Sequence, residues 1–174
     1  MHTLKLVLPC KKYIQEIYNY REEFLGRNED MAGTSNLREF DNILEWINWT
    51  KKLSNYEYNV LPYVHSLQFL TINENDKLIG MVDIRLDTND YILNYGGQLG
   101  YSIRPSERNK GYGKNQFHLA INKCKTLGFE QIIITCNKTN IPSKKIIKSK
   151  KGILINTINE KTSNHLIERY VIQL

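Results

Sequence analysis

The sequence predicts a mixed α/β (α+β) fold in which helices cover both faces of one sheet, within a single domain over residues 1–174. Three observations predict it. Residues 78–86 and 98–104 carry the period-two alternation of strands and 67–72 is a strand-like run, whereas 14–25, 37–53 and 117–127 carry helical spacing. Strand-like runs outnumber helical ones, in the order β-αα-βββ-α-β-α-ββ. A strand–helix–strand unit lies inside that order.

The elements follow in turn. Apolar positions from Met1 to Leu8 read as a first strand, too short for a signal peptide and lacking a small-residue cleavage site. Ile14, Ile17, Tyr18, Arg21, Phe24 and Leu25 keep helical spacing. The polar stretch 26–36 is a loop, and Leu37, Phe40, Ile43, Leu44, Ile47 and Leu53 form a second amphipathic helix. After a Tyr- and Asn-rich connection, 67–72 and 78–86 flank a turn at Asn75-Asp76-Lys77. Within the second run, Met81, Asp83 and Arg85 share one face and Val82, Ile84 and Leu86 the other. A third strand covers 98–104. Phe117, Ala120, Ile121, Cys124 and Leu127 then mark a helix ended by Gly128. Gln131 to Cys136 is a short β-branched strand, and Asn140 caps a further helix with Pro142 in its first turn. Two strands, 153–158 and 166–174, close the chain.

No apolar run approaches the roughly 20 residues that cross a bilayer. The three cysteines, Cys10, Cys124 and Cys136, are odd in number and show no CxxC spacing. They read as buried, inert thiols in a reducing, cytoplasmic setting, with no metal site. The net charge of +6 is unevenly spread. Residues 1–100 hold 10 Lys/Arg against 14 Asp/Glu, net −4, and residues 101–174 hold 14 against 4, net +10. The basic half suits an anionic ligand and the acidic half a cation; solvated faces are the alternative.

The chemistry concentrates between Ile103 and Gly113. Pro105 ends a strand, and Gly111 and Gly113 stand where a helix begins. A helix start exposes unpaired N–H groups and partial positive charge, and glycines let a phosphate approach them. Arg108, Lys110 and Lys114 add charge, so the segment reads as a pyrophosphate cradle. It is neither a Walker A loop nor a dinucleotide-binding G-x-G-x-x-G, because Gln116 stands at the third glycine. A glycine-rich helix entry with surface lysines is the alternative.

Arg108-x-x-Gly111-x-Gly113 resembles the [QR]-x-x-G-x-[GA] signature of the GNAT superfamily of N-acetyltransferases, and Asn140-x-x-Ser143 resembles that superfamily's N-x-x-[AS] motif. The run Gly97 to Gly113 looks most like a bacterial branch of predicted acetyltransferases. The resemblance implies a mostly antiparallel central sheet splayed near Gln98–Arg104, with acetyl-CoA in the split. The backbone of Ser102, Ile103 and Arg104 would then pair with the pantetheine arm. Arg108, Asn109, Lys110, Gly111, Tyr112, Gly113 and Lys114 would hold the pyrophosphate, Asn140 and Ser143 would lie near pantetheine, and Lys138, Lys144 and Lys145 would meet the 3′-phosphate. It further implies direct acetyl transfer to a primary amine of a small molecule or peptide in a ternary complex. No metal or membrane is implied, and a homodimer is a possible assembly. Coenzyme A accounts for the basic half without nucleic acid, and no stacking-aromatic nucleic-acid motif is present.

The usual catalytic side chains of that superfamily are absent. Ile147 stands where a tyrosine acid would be, and 95–98 hold no carboxylate. Asp83, Tyr101 and Tyr170 are the substitutes. Asp83 is a base or a partner of Arg85; Tyr101 and Tyr170 are acids or packing aromatics. The acidic stretch 22–45 would form an acceptor mouth or a solvated face. A GNAT-fold module that binds acetyl-CoA without transfer is the alternative function.

Overall fold

The structure is a computed structural model that describes residues 3–160 and 165–174. Met1 and His2, at the start of the expected first strand, lie outside the described residues. The strands are β1 (Lys5–Val7), β2 (Ser66–Ile72), β3 (Leu78–Arg85), β4 (Leu99–Ile103), β5 (Gln131–Asn137), β6 (Ile153–Glu160) and β7 (His165–Gln173). The helices are α1 (Ile14–Leu25), α2 (Ile43–Leu53), α3 (Tyr112–Thr126) and α4 (Ile141–Ser149). The mixed fold read from the sequence therefore holds, with every strand pairing antiparallel.

The strands form two sheets, β1-β2-β3-β4 and β5-β7-β6. They touch at Gln98, whose N–H donates to Ile133 O at 2.7 Å and whose Oε1 accepts from Ile133 N–H at 3.0 Å. Beyond that point β4 pairs only with β3. This separation is the splay expected near Gln98–Arg104.

Alternation along the strands divides the core in two. Leu70, Ile72, Leu78 and Met81 face α1 and α2, where Ile17, Tyr20, Phe24, Trp46 and Ile47 bury against them. Phe69, Val82, Ile84 and Leu99 face α3 and α4, and meet Phe117, Ile121, Ile134 and Ile147. With both faces covered, β2 and β3 are almost wholly buried.

Two expectations need correction. The second helix was expected over 37–53, but it begins at Ile43 after a separate 3-10 turn, Leu37–Glu39. Asn36 enters that turn with φ 63°, and the Asn42 side chain accepts from Leu44 N–H at 2.9 Å, so side-chain capping restarts the helix. Leu37 is still a core residue. The second correction is a π-helical turn at Ile92–Gly96, where the sequence suggested no element.

Candidate active site

The split between the sheets opens into a cleft of about 560 Å³ walled by β4, the start of α3 and the start of α4. Arg104 N–H donates to Ile79 O, and Gln98 O accepts from Arg85 N–H. The even-numbered residues of β4 thus spend their backbone groups on β3, and alternation turns those of Tyr101 and Ile103 toward the cleft. Gly111 precedes α3 with φ 80°, a left-handed conformation that glycine adopts freely. The first turn of α3, whose N–H groups face out of the helix end, lies beside the same cleft.

Most cofactor positions named from the sequence line this cleft: Ser102, Ile103, Arg108, Asn109, Gly111, Tyr112, Gly113, Lys114, Asn140 and Ser143; the acid candidate Tyr101 lines it too. Asn140 Oδ1 accepts from Ser143 N–H at 3.1 Å and so caps α4. Ser143 Oγ lies 2.8 Å from the Tyr101 hydroxyl, which burial pushes well above the ordinary tyrosine range. Lys145, Ile146 and Pro142 line the α4 side.

Three expected residues point elsewhere. Arg104 sits on the opposite face of β4, buried in ion pairs with Glu16 (2.9 Å) and Glu23 (2.6 Å) of α1. Lys144 turns away from the cleft and donates to Glu168 Oε1 at 3.0 Å, because one residue of helical phase separates it from Lys145. Lys110 does not line the cleft; its ammonium lies 2.9 Å from Glu107 Oε2. Burial raises the Glu107 pKa, but Lys77 and Lys110 outweigh it and hold the carboxyl below the ordinary range. Lys138, also weighed for the 3′-phosphate, does not line the cleft either. Phe24 lines it unannounced by the sequence, and so do Glu29 and Asp30, which belong to the acidic stretch expected at the acceptor mouth.

A second cavity of about 650 Å³ lies on the α2 side, bounded by residues 31–36, Trp49, Tyr63, Asp83, Arg85 and Tyr91. The loop 31–36 is the shared wall, with Ala32 bordering both spaces. Gly33 pins that wall to β4. It has φ 69°, and a Cβ there would fall 2.3 Å from Gly100 O. Ser102 Oγ donates to Ala32 O at 2.5 Å, and Trp46 Nε1 donates to Thr34 O at 2.8 Å.

Asp83 lies in the wall of this cavity, buried to 4 % exposure. Its Oδ2 is 3.3 Å from Arg85 Nε, and Ser35 Oγ donates to its Oδ1 at 3.4 Å. Arg85 also donates to Gly96 O and Gly97 O, both at 2.7 Å. Asp83 is therefore an ion-pair partner of Arg85 and also borders a cavity. Tyr170 borders neither space. Its hydroxyl donates to Glu168 Oε2 at 2.5 Å, and its ring packs in the α3–α4 core. Burial and the adjacent Glu168 push that hydroxyl far above its ordinary range. As a core tyrosine it is removed from the acid candidates. Ile147 is fully buried.

The expected acidic mouth is absent from the second cavity. Glu23 is held by Arg104 and Glu29 by Arg108, while Asp41 is solvent-exposed beside Arg21. Among the described residues, Asp83 is the sole acid in that cavity wall. No cluster of metal-ligating side chains occurs among the described residues, and no helix of theirs is long and apolar enough to cross a membrane.

Comparison with known proteins agrees with this fold. The acetyltransferase (GNAT) domain family matches residues 13–150. Among solved structures, the ribosomal α-N-protein acetyltransferase RimL in complex with coenzyme A superposes with TM-score 0.74 at 12% identity, over 99% of this chain and 94% of that one. The microcin C7 self-immunity acetyltransferase MccE, bound to acetyl-CoA and AMP, gives TM-score 0.68 at 15% identity over 98% and 92%. A chimera of the Vibrio cholerae spermidine N-acetyltransferase SpeG gives 0.68 at 16% identity over 98% and 95%. No curated protein matches the chain.

Proposed function

The chain belongs to the acetyltransferase (GNAT) family, and from that premise we propose that its single domain, 1–174, binds acetyl-CoA in the split and transfers the acetyl group to an amine presented from the second cavity. The carrying observation is the convergence of two features on one cleft: the outward-turned backbone of Tyr101 and Ile103, and the start of α3 at Gly111–Gly113. An extended pantetheine arm would add to β4 as a strand would, and the pyrophosphate would meet the α3 N–H groups. MccE and RimL carry acetyl-CoA and coenzyme A in their structures, which supports the same ligand here. Cys124 and Cys136 are buried as expected, whereas Cys10, just before the first helical turn, is exposed; three thiols without disulfides suit the reducing cytoplasm.

In this reading the amine nitrogen attacks the thioester carbonyl, the C–S bond breaks, and the amine proton must leave. Asp83 is the base. It pairs across the sheet with Gly100, so it stands one strand spacing, about 4.8 Å, from the strand that holds the thioester. A β4 N–H at the split would polarise the carbonyl oxygen. The thiolate of coenzyme A leaves without a side-chain acid, since the Tyr101 hydroxyl is engaged by Ser143 and that of Tyr170 by Glu168.

The second cavity also describes the acceptor. Its charged groups, Asp83 and Arg85, pair with each other, and Trp49, Tyr63 and Tyr91 line the rest. A polyamine would find no second carboxylate there. We infer a single amine on an uncharged, apolar or aromatic body, from a small molecule or a peptide end.

Acetyl-CoA should raise the melting temperature, because a ligand that binds only the native state stabilises it. Thiol release should follow with aromatic monoamines or aminoacyl peptides and be weaker with spermidine. A leucine at Gly113, where a Cβ already meets Ile146 Cδ1 at 3.1 Å, should abolish the shift. An unchanged shift in that variant would remove the cleft assignment. A full shift without thiol release for any amine would favour the second reading, an acetyl-CoA-binding module, which the engaged tyrosine hydroxyls support.

A further inference from the structure

The cofactor cleft already contains an anion of the chain's own. Among its charged lining residues within the described chain, Glu29, Asp30 and Glu107 match Arg108, Lys114 and Lys145 in number, so the cleft is not the basic surface that its sequence suggests. One pair of these charges is already joined. Arg108 Nη1 lies 2.5 Å from Glu29 Oε2, while Arg108 Nε donates to Ile103 O at 3.2 Å. The guanidinium is further fixed over the Phe24 ring, 5.4 Å from its centroid. Glu29 is placed as well: its carbonyl accepts from Arg38 Nη2, and Glu29 N–H donates to Phe24 O at 3.1 Å.

We propose that Glu29 stands in for the cofactor's pyrophosphate, holding Arg108 at the cleft wall and yielding it when acetyl-CoA binds. The inference rests on the reading of this cleft as the coenzyme A site. A pyrophosphate offers Arg108 a doubly charged, bidentate partner in place of one carboxylate oxygen, so the exchange favours the cofactor while it is present. When coenzyme A leaves, Glu29 recaptures the guanidinium. Glu29 and Asp30 also repel the incoming phosphates, since they share the same wall. Glu29 therefore weakens cofactor binding and speeds release of the coenzyme A product. The residue is a specificity and release determinant, and it contributes no chemistry to acetyl transfer.

The test is Glu29→Gln in the full chain, which keeps size and removes charge. Both Glu29 and Arg108 are about a third exposed, with side-chain exposures of 34% and 38%, so screening limits the effect. Titration calorimetry should show acetyl-CoA and coenzyme A binding tighter by about three- to tenfold, with product inhibition by coenzyme A stronger by the same factor. S-acetylpantetheine lacks the pyrophosphate, so its KM should be the same in both proteins. Adding Arg108→Gln to Glu29→Gln should erase the gain. Glu29→Ala should tighten binding like Glu29→Gln, which separates the carboxylate from any new amide contact. Unchanged or weaker acetyl-CoA binding by a Glu29→Gln protein of native melting temperature overturns the inference. So does an equal gain with S-acetylpantetheine. A wild-type protein that takes up no acetyl-CoA removes the cofactor reading itself, and this inference with it.

Discussion

Replacing Asp83 with asparagine separates a base from a counterion. Asp83 is buried and contacts Arg85 Nε at 3.3 Å and Ser35 Oγ at 3.4 Å. Asparagine can turn its oxygen to Arg85 and its amide to Ser35, because the Ser35 hydroxyl has Gln68 Oε1 at 2.8 Å as an acceptor. Arg85 keeps both backbone acceptors, Gly96 O and Gly97 O. The stability loss is then the difference between a charge-assisted and a neutral contact, about 1 kcal/mol. For a chain of this size that lowers the melting temperature by roughly 2–4 °C. Loss of a general base instead costs about 10²–10⁴-fold in turnover. The assay is thiol release from acetyl-CoA at saturating amine over a pH series, beside acetyl-CoA binding, which should not change. Without a base only the free amine attacks, so variant turnover should climb about tenfold per pH unit until the amine's own pKa is reached. Turnover within about threefold of wild type, with the same pH profile, would reduce Asp83 to the counterion of Arg85.

Two further outcomes follow from the charges. Lys114→Ala and Lys145→Ala should each weaken acetyl-CoA binding a few-fold at low salt and less at high salt; Lys110→Ala should do less, because Glu107 already holds that ammonium. Equal losses for all three would argue for an unspecific basic surface. In acid, the carboxyls of Glu23, Glu107 and Glu168 matter: burial raises each pKa, but Arg104 with Ser106, Lys77 with Lys110, and Tyr170 with Lys144 outweigh it and leave all three below their ordinary 4.5. A depressed carboxylate stabilises the fold above its unfolded pKa and loses that contribution as pH falls through the folded value. The melting temperature should therefore fall steeply below about pH 4.5, and less steeply in Glu107→Gln.

What the sequence shows are features written in near neighbours. The change of period from two to 3.6 after residue 104, Pro105 before the glycines, and Asn140 three residues before Ser143 all act locally, and all hold in the structure. What it hides are choices made by tertiary partners. Arg104 directly follows β4 and leads to the motif, but continued alternation gives its side chain to α1. Lys144 and Lys145 are adjacent in sequence, and only the docking angle of α4 decides which of them faces the cleft. Tyr170 looked available because strand periodicity shows that residues share a face without showing which face is covered. The single helix expected over 37–53 failed for a readable reason, since Asn42 is a good N-cap inside the apolar pattern.

The uneven charge along the chain finds much of its explanation inside the molecule. The acidic first half supplies Glu16, Glu23 and Glu29; the basic second half supplies Arg104 and Arg108, which receive them. Glu23 adds a second anchor, accepting from Ser106 N–H at 3.1 Å. These contacts fasten α1 and the segment after it to the β4–α3 junction, where the glycine-rich turn must be held in shape. They differ in burial, and that difference assigns their roles. The Arg104 side chain is 8% exposed, so breaking its pairs would strand a buried charge, and it serves as a fixed clamp. Arg108 is more than a third exposed and borders the cleft, so its pair with Glu29 can exchange at little cost. One junction therefore carries a permanent ion-pair anchor on one face of β4 and an exchangeable one on the other, which lets a ligand enter the split without loosening α1.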